Sequence, residues 1–120
     1  MLDGFFDNWT TQIRKGLLEF CVLNAIAGER RYGYDIVRRL REVPGLVISE
    51  GTIYPILSRL RRDGLVRTSL EESNEGPARK YYELTASGER TRARMNEQWR
   101  QILQGVRDLQ TGETERSGGR

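Results

Sequence analysis

Very little in this chain could carry out covalent chemistry. It has one cysteine, Cys21, and no histidine, so it lacks the usual general base and the usual metal ligand, and it can close neither an internal disulfide nor a cysteine zinc cluster. Cys21 lies within the apolar run LLEFCVLNAIA, where a thiol behaves as a small buried hydrophobe with no base beside it. No acidic pair sits in an apolar setting that would raise a carboxyl pKa toward neutrality. The abundant functional side chain is arginine: of the 20 basic residues only Lys15 and Lys80 are lysine. A guanidinium makes paired hydrogen bonds to phosphate oxygens or to the edge of guanine. The chemistry on offer is recognition of a polyanion, with no enzymatic activity and no metal or cofactor required.

The arginines crowd one segment, GTIYPILSRLRRDGLV, where Arg59, Arg61 and Arg62 are followed by Arg67. Ile53, Ile56, Leu57 and Leu60 recur there at helical spacing, which predicts an amphipathic helix with those four side chains on the core. An interior proline costs a helix about 3 kcal/mol through a lost hydrogen bond and a clash with the preceding turn, whereas the first turn has N–H groups to spare. Pro55 is therefore expected near the start, with Ser49 or Gly51 as cap. The helix should run to about Asp63, with Gly64 as its left-handed terminator. Its outward positions are Thr52, Tyr54, Pro55, Ser58, Arg59 and Arg62. Small polar and aromatic groups followed by arginines suit a helix that enters the major groove end-on. An ordinary amphipathic helix with a solvated basic face has the same stripe, so the flanking elements decide.

Phe5, Phe6, Trp9 and Ile13 lead at near-helical spacing into GLLEFCVLNAIAG, predicting a long first helix from about Phe6 to Ala27, stopped by Gly28. In YGYDIVRRLREV, Ile36, Val37 and Leu40 form one stripe, giving a second helix that ends before Pro44-Gly45. Two striped helices on either side of the loop PGLVIS have the outline of a helix-turn-helix. Next, LVRTSLEE and ARKYYELT read as strands joined by the turn-rich SNEGP, a β-hairpin placed as a wing. Tyr81 and Tyr82 point to opposite faces of their strand, one to the domain and one to the wing surface or DNA, with both as plain packing residues the alternative. Thr85 can cap a last helix in which Met95, Trp99, Ile102, Val106 and Leu109 fall at spacings of 4, 3, 4 and 3, a coiled-coil seam. That seam spans only about two heptads and needs support, which the aromatic face of Phe5, Phe6 and Trp9 can give.

At 120 residues the chain fits one folding unit. With 37% apolar and 31% charged residues it is too apolar for a disordered chain and too charged for a membrane protein. No apolar run approaches the roughly 20 residues of a membrane helix, and the N-terminus lacks the order of a signal peptide, so a cytoplasmic location without membrane partners is expected. Three parts are expected: a winged helix-turn-helix with its N-terminal helix over 1–84, a C-terminal helix over 85–110, and a disordered polar, Gly-rich tail over 111–120. The fold class is mainly α with a small β-hairpin.

GTIYPILSRLRRDGLV followed by GPARKYYELTASG resembles the paired signature of PadR-type transcriptional regulators, in particular the short subfamily with a single C-terminal dimerisation helix. The resemblance covers about Arg14 to Leu109. It implies a winged-helix homodimer that represses its promoter by binding double-stranded DNA and is released by an effector, in many members a small aromatic compound. It places Thr52, Tyr54 and Ser58 on DNA in the recognition helix, Tyr34 at the first helix of the motif, and Arg79 and Lys80 on the wing. Arg59 and Arg62 add phosphate contacts from the same helix. The cluster Glu71, Glu72 and Glu75 departs from a simple basic wing, because carboxylates are repelled by phosphate. The dimer interface is expected to hold Phe5, Phe6, Trp9, Met95, Trp99, Ile102, Val106 and Leu109. Similar regulators hold flat aromatic ligands between tryptophans at this interface, which points to Trp99 with Trp9 or Phe6 beside it as the effector site; plain interface packing is the alternative. A winged-helix module that binds only protein would share the core pattern, but has no use for arginines concentrated around the recognition helix.

Overall fold

The computed structural model describes residues 2–112; the expected tail beyond Gly112 lies outside the described residues. The first helix, α1, spans Leu2–Ile26, starting four residues before the sequence pattern suggests. Val22, Leu23, Ala25 and Ile26 in its last turns are buried. Gly28, at a φ of 96°, then reverses the chain, a left-handed conformation that favours glycine.

Between Gly28 and the second helix lies a strand, β1, Arg31–Tyr32. Two residues carry no readable alternation, so sequence pattern could not reveal it. The second helix, α2, Gly33–Arg41, buries Ile36, Val37 and Leu40 as their stripe requires. The third, α3, Glu50–Arg62, buries Ile53, Ile56, Leu57 and Leu60. Together with the end of α1, Leu46, Val66 and Tyr82, these side chains form one core.

Ser49 occupies the N-cap of α3, but its side chain makes no capping bond. Its hydroxyl instead pairs with that of Thr52 at 3.0 Å, and its carbonyl accepts the first bonds, from Thr52 and Ile53. The helix therefore begins one turn earlier than Pro55 alone implies, and Pro55 is its sixth residue. Residue 55 would otherwise bond the carbonyl of Gly51, which is exposed and free to take water. Four aliphatic side chains, each stabilising by about 1.5–3 kcal/mol when fully buried, outweigh the roughly 3 kcal/mol cost of the proline.

The hairpin consists of β2, Val66–Ser73, and β3, Gly76–Leu84. Ser73 pairs with Gly76, so the turn is tighter than the five-residue loop read from sequence, and Gly76-Pro77 belong to the strand. The sheet has three antiparallel strands in the order β1-β3-β2, with Tyr32 opposite Tyr81 and Arg31 opposite Tyr82.

The last helix, α4, spans Ala86–Thr111. Thr85 caps it, accepting from the Gly88 amide at 3.0 Å while its hydroxyl donates to the Gly64 carbonyl at 2.6 Å. The Thr85 amide donates to the carbonyl of Leu65 at 3.1 Å. Gly88 comes so close to that segment that a Cβ there would lie 1.9 Å from the Leu65 oxygen. The end of α3 and the start of α4 are thus fused through Gly64–Leu65 and Thr85–Gly88. Gly88→Ala should destabilise the fold by about 1–3 kcal/mol, as overpacking against backbone does, seen as a lower urea midpoint at constant slope. An unchanged midpoint would show that the junction can yield.

Candidate nucleic-acid interface

With the core stripe of α3 turned inward, Gly51, Pro55, Ser58 and Arg62 form the ridge opposite it, at the i, i+4, i+7, i+11 spacing of one helical face. All four are exposed. Arg62 makes no ion pair among the described residues. Thr52 and Arg59 lie on one flank of the ridge, and Tyr54 and Arg61 on the other.

The two flanks are held differently. Arg59 donates from Nη2 to Glu19 Oε2 on α1 at 2.5 Å, with both side chains close to half exposed. A carboxylate thus occupies the guanidinium that sequence reading assigns to phosphate. Tyr54 is partly buried, with its ring against Gly33: a Cβ on that glycine would meet the Tyr54 ring at 3.0 Å and the Tyr82 ring at 3.2 Å. Burial, followed by the charge of Glu50 and the neighbouring phenols of Tyr32, Tyr82 and Tyr34, raises the Tyr54 pKa, so its hydroxyl stays a neutral donor near neutral pH. Tyr34, in the first turn of α2, is partly exposed. On the other side of the motif, Arg14 of α1 donates from Nε to the Gly45 carbonyl at 2.9 Å, tying the loop that enters α3 to the first helix.

Strand register separates the wing residues by face. Tyr82 is buried in the core, which sends Lys80 and Leu70 to that same side and Arg79, Tyr81, Ser69 and Glu71 to the other. Tyr82 is thus the tyrosine packed on the domain, and Arg79 and Lys80 lie on opposite faces. On the outer face the guanidinium of Arg30 lies 4.5 Å from the centre of the Tyr81 ring, and that of Arg79 lies 5.0 Å from the Tyr32 ring. Tyr32 and Tyr81 are 5.9 Å apart. Each cation–π contact stabilises by about 0.5–1 kcal/mol at an exposed site. Arg30 also forms an ion pair with Glu71. Sequence reading missed Arg30, because nothing in GERRYG marks which arginine the sheet will use.

The helical seam divides in two. Trp99 packs at a tilt against Phe20 of α1 with ring centres 5.7 Å apart, and Arg92 and Asn96 both donate to Asn24 Oδ1, at 3.1 and 2.9 Å. Met95 packs against the core. Farther out, Ile102 is 50% exposed and Leu109 74%, with Val106 between them. On α1, Phe5 is 78% and Trp9 52% exposed, with Phe6 and Ile13 on the same stretch. Ile13, Leu17, Phe20, Met95, Trp99 and Ile102 line a groove of about 350 Å³ between the two helices. Trp9 instead pairs with Phe6 at 6.1 Å and lines a separate groove with Ile13, Arg14 and Gly45. The two tryptophans line different grooves. Cys21 is half-buried and burial pushes its thiol pKa up, away from the reactive thiolate.

A helix-turn-helix with an adjoining three-stranded wing defines the winged-helix class. The profile of the Transcriptional regulator PadR-like family matches residues 22–94. A crystal structure of a PadR-like transcriptional regulator from Bacillus cereus is 36% identical, covers 82% of this chain and 95% of its own, and superposes with a TM-score of 0.74. A Streptococcus transcriptional regulator is 39% identical over 82% of this chain and 97% of its own, at a TM-score of 0.72. A PadR family transcriptional regulator from Eggerthella lenta is 30% identical over 90% of this chain and 94% of its own, at 0.76. The chain belongs to the PadR-like family, whose members are DNA-binding transcription regulators and not enzymes. No helix among the described residues is long and apolar enough to cross a membrane.

Glu19 holds the Arg59 guanidinium and would compete with a phosphate for it, so Glu19→Gln should steepen the salt dependence of binding to a nonspecific duplex by up to about one unit of slope. An unaltered slope would place Arg59 away from the DNA backbone.

Proposed function

We propose that the protein is a repressor acting as a homodimer on a pseudo-palindromic operator, with α3 in the major groove of each half-site. The observation that carries this reading is the pairing of two unlike surfaces on one rigid unit. One is the ridge of Pro55, Ser58 and Arg62, flanked by Thr52, Tyr54 and Arg59; all but Tyr54 of these six are exposed. The other is the apolar strip of Phe5, Phe6, Trp9, Ile102, Val106 and Leu109, also exposed. Exposed apolar strips of this length usually mark an interface, and a symmetric one closes on itself.

In this reading Ser58, Thr52 and Tyr54 meet bases, Arg59 and Arg62 meet phosphates, Tyr34 reaches DNA from the first turn of α2, and Arg79 and Lys80 touch the backbone from the two faces of the wing. Met95 and Trp99 form the inner end of the interface. Half-sites should be centred about one helical turn, or a multiple of it, apart.

The groove beside Trp99 supports an effector reading for a flat aromatic compound, with the partner's copy of the groove as its second wall. Such a ligand would wedge the last helices apart and so distinguish DNA-bound from free states. Because Trp9 lines a different groove, Phe20 and Ile13 are the companions of Trp99 that this reading uses.

Replacing Ile102 and Val106 together by glutamate places four charges at the proposed two-fold interface. The variant should sediment as a monomer and lose at least about tenfold in operator affinity, the equivalent of 1.4 kcal/mol. An unaltered dimer would remove this strip from the interface.

A further inference from the structure

The wing extends beyond the body with little to hold it. A two-stranded hairpin is marginal by itself in water, and the third strand, β1, reaches only as far as Tyr81 and Tyr82. Toward the tip, Leu70, Glu71, Glu72 and Arg79 are all exposed. Among the described residues, two side-chain ties cross from the body to this outer part. Arg79 lies over the Tyr32 ring, and Arg30, in the turn between α1 and β1, reaches across the sheet.

Arg30 makes three contacts at once. Its guanidinium covers the Tyr81 ring of β3, its Nη1 donates to Ser69 Oγ of β2 at 3.4 Å, and its Nη2 pairs with Glu71 Oε2, farther out on β2. Glu71 is itself the register partner of Arg79. Arg30, Tyr81, Tyr32 and Arg79 therefore form a continuous stack on the outer face, and Glu71 closes it from the second strand. A guanidinium suits this place because its flat face stacks while its edge makes directed hydrogen bonds, which a lysine cannot do together.

The arrangement also changes what Glu71 means. As a free carboxylate near the tip it would repel phosphate; paired with Arg30 its charge is neutralised, and its contact holds the strand.

We propose that Arg30 is a positioning residue for DNA recognition: through Tyr81, Ser69 and Glu71 it fixes the angle of the wing against the body, and it contacts no phosphate itself. This rests on the reading that α3 and the wing meet DNA together. A wing held at one angle presents Arg79 and Lys80 without an ordering cost at the moment of binding.

The test uses the full chain and a duplex selected by the wild-type protein from a random pool, with affinity measured over a range of salt concentrations. Arg30→Ala should weaken binding about tenfold with an unchanged salt slope, because geometry is lost and no phosphate contact is. Glu71→Ala should weaken binding in the same way, although removal of a negative charge near DNA would by itself tighten it. The double variant should be no weaker than the poorer single one, since both changes break the same tie. Arg30→Lys, which keeps the ion pair and loses the fork, should fall between wild type and alanine. Thermal unfolding of Glu71→Ala, at an exposed strand position, should match wild type.

A slope lowered by about one unit in Arg30→Ala would make Arg30 a phosphate contact and overturn the proposal. So would tighter binding by Glu71→Ala, or wild-type affinity in both alanine variants. A wild-type protein with no salt-dependent binding to any duplex would overturn the DNA reading of the wing as well, and the two failures are thus told apart.

Discussion

The contact on which the architecture depends is the one between the Leu65 carbonyl and Gly88. No side chain fits there, and the Thr85 amide and hydroxyl bond the carbonyls of Leu65 and Gly64 on either side. Gly64, at a φ of 78°, ends α3, while Thr85 begins α4. The turn that ends α3 and the start of α4 consequently meet backbone to backbone, although the β2–β3 hairpin separates them in sequence. A contact between main-chain atoms of this kind leaves little room for α4 to rotate without moving the end of α3, because no rotamer change can relieve it. In the proposed homodimer, the pairing of α4 would set the distance between the two recognition helices.

A second layer of ties fixes the remaining parts to this unit. Asn24 of α1 accepts from both Arg92 and Asn96 of α4, Arg14 holds the loop before α3, and Glu19 holds Arg59. The exposed members contribute little stability individually, since surface ion pairs are worth at most about 1 kcal/mol. Their importance is directional: α1 touches the loop entering α3, α3 itself and α4, so in the proposed effector reading the groove beside Trp99 would have a physical route to α3.

Much of this was legible from the sequence, and the reason is periodicity. The stripes of α2 and α3 and the caps at Gly28, Gly64 and Thr85 follow from local rules that the tertiary structure did not override. What escaped was set by contacts distant in sequence. β1 is too short for any pattern; Pro55 is carried inside α3 because four buried aliphatics outweigh it; Arg30 and Glu19 acquire their roles only when the sheet and α1 bring them to partners about forty residues away. The same holds for the tryptophans: spacing puts Trp99 on the seam, but only packing reveals that Phe20, and not Trp9, is its neighbour. Register, likewise, is what sends Tyr82 inward and Arg79 and Lys80 to opposite faces.

The central claim is that two copies of α3, held apart by paired α4 helices, read DNA as a symmetric pair. Hydroxyl-radical footprinting of wild-type protein on a duplex that it has selected tests this most directly. Two equivalent protected windows related by a two-fold axis are expected, with centres about one helical turn or a multiple of it apart. A single protected window, or two whose spacing varies from one selected duplex to another, would contradict it.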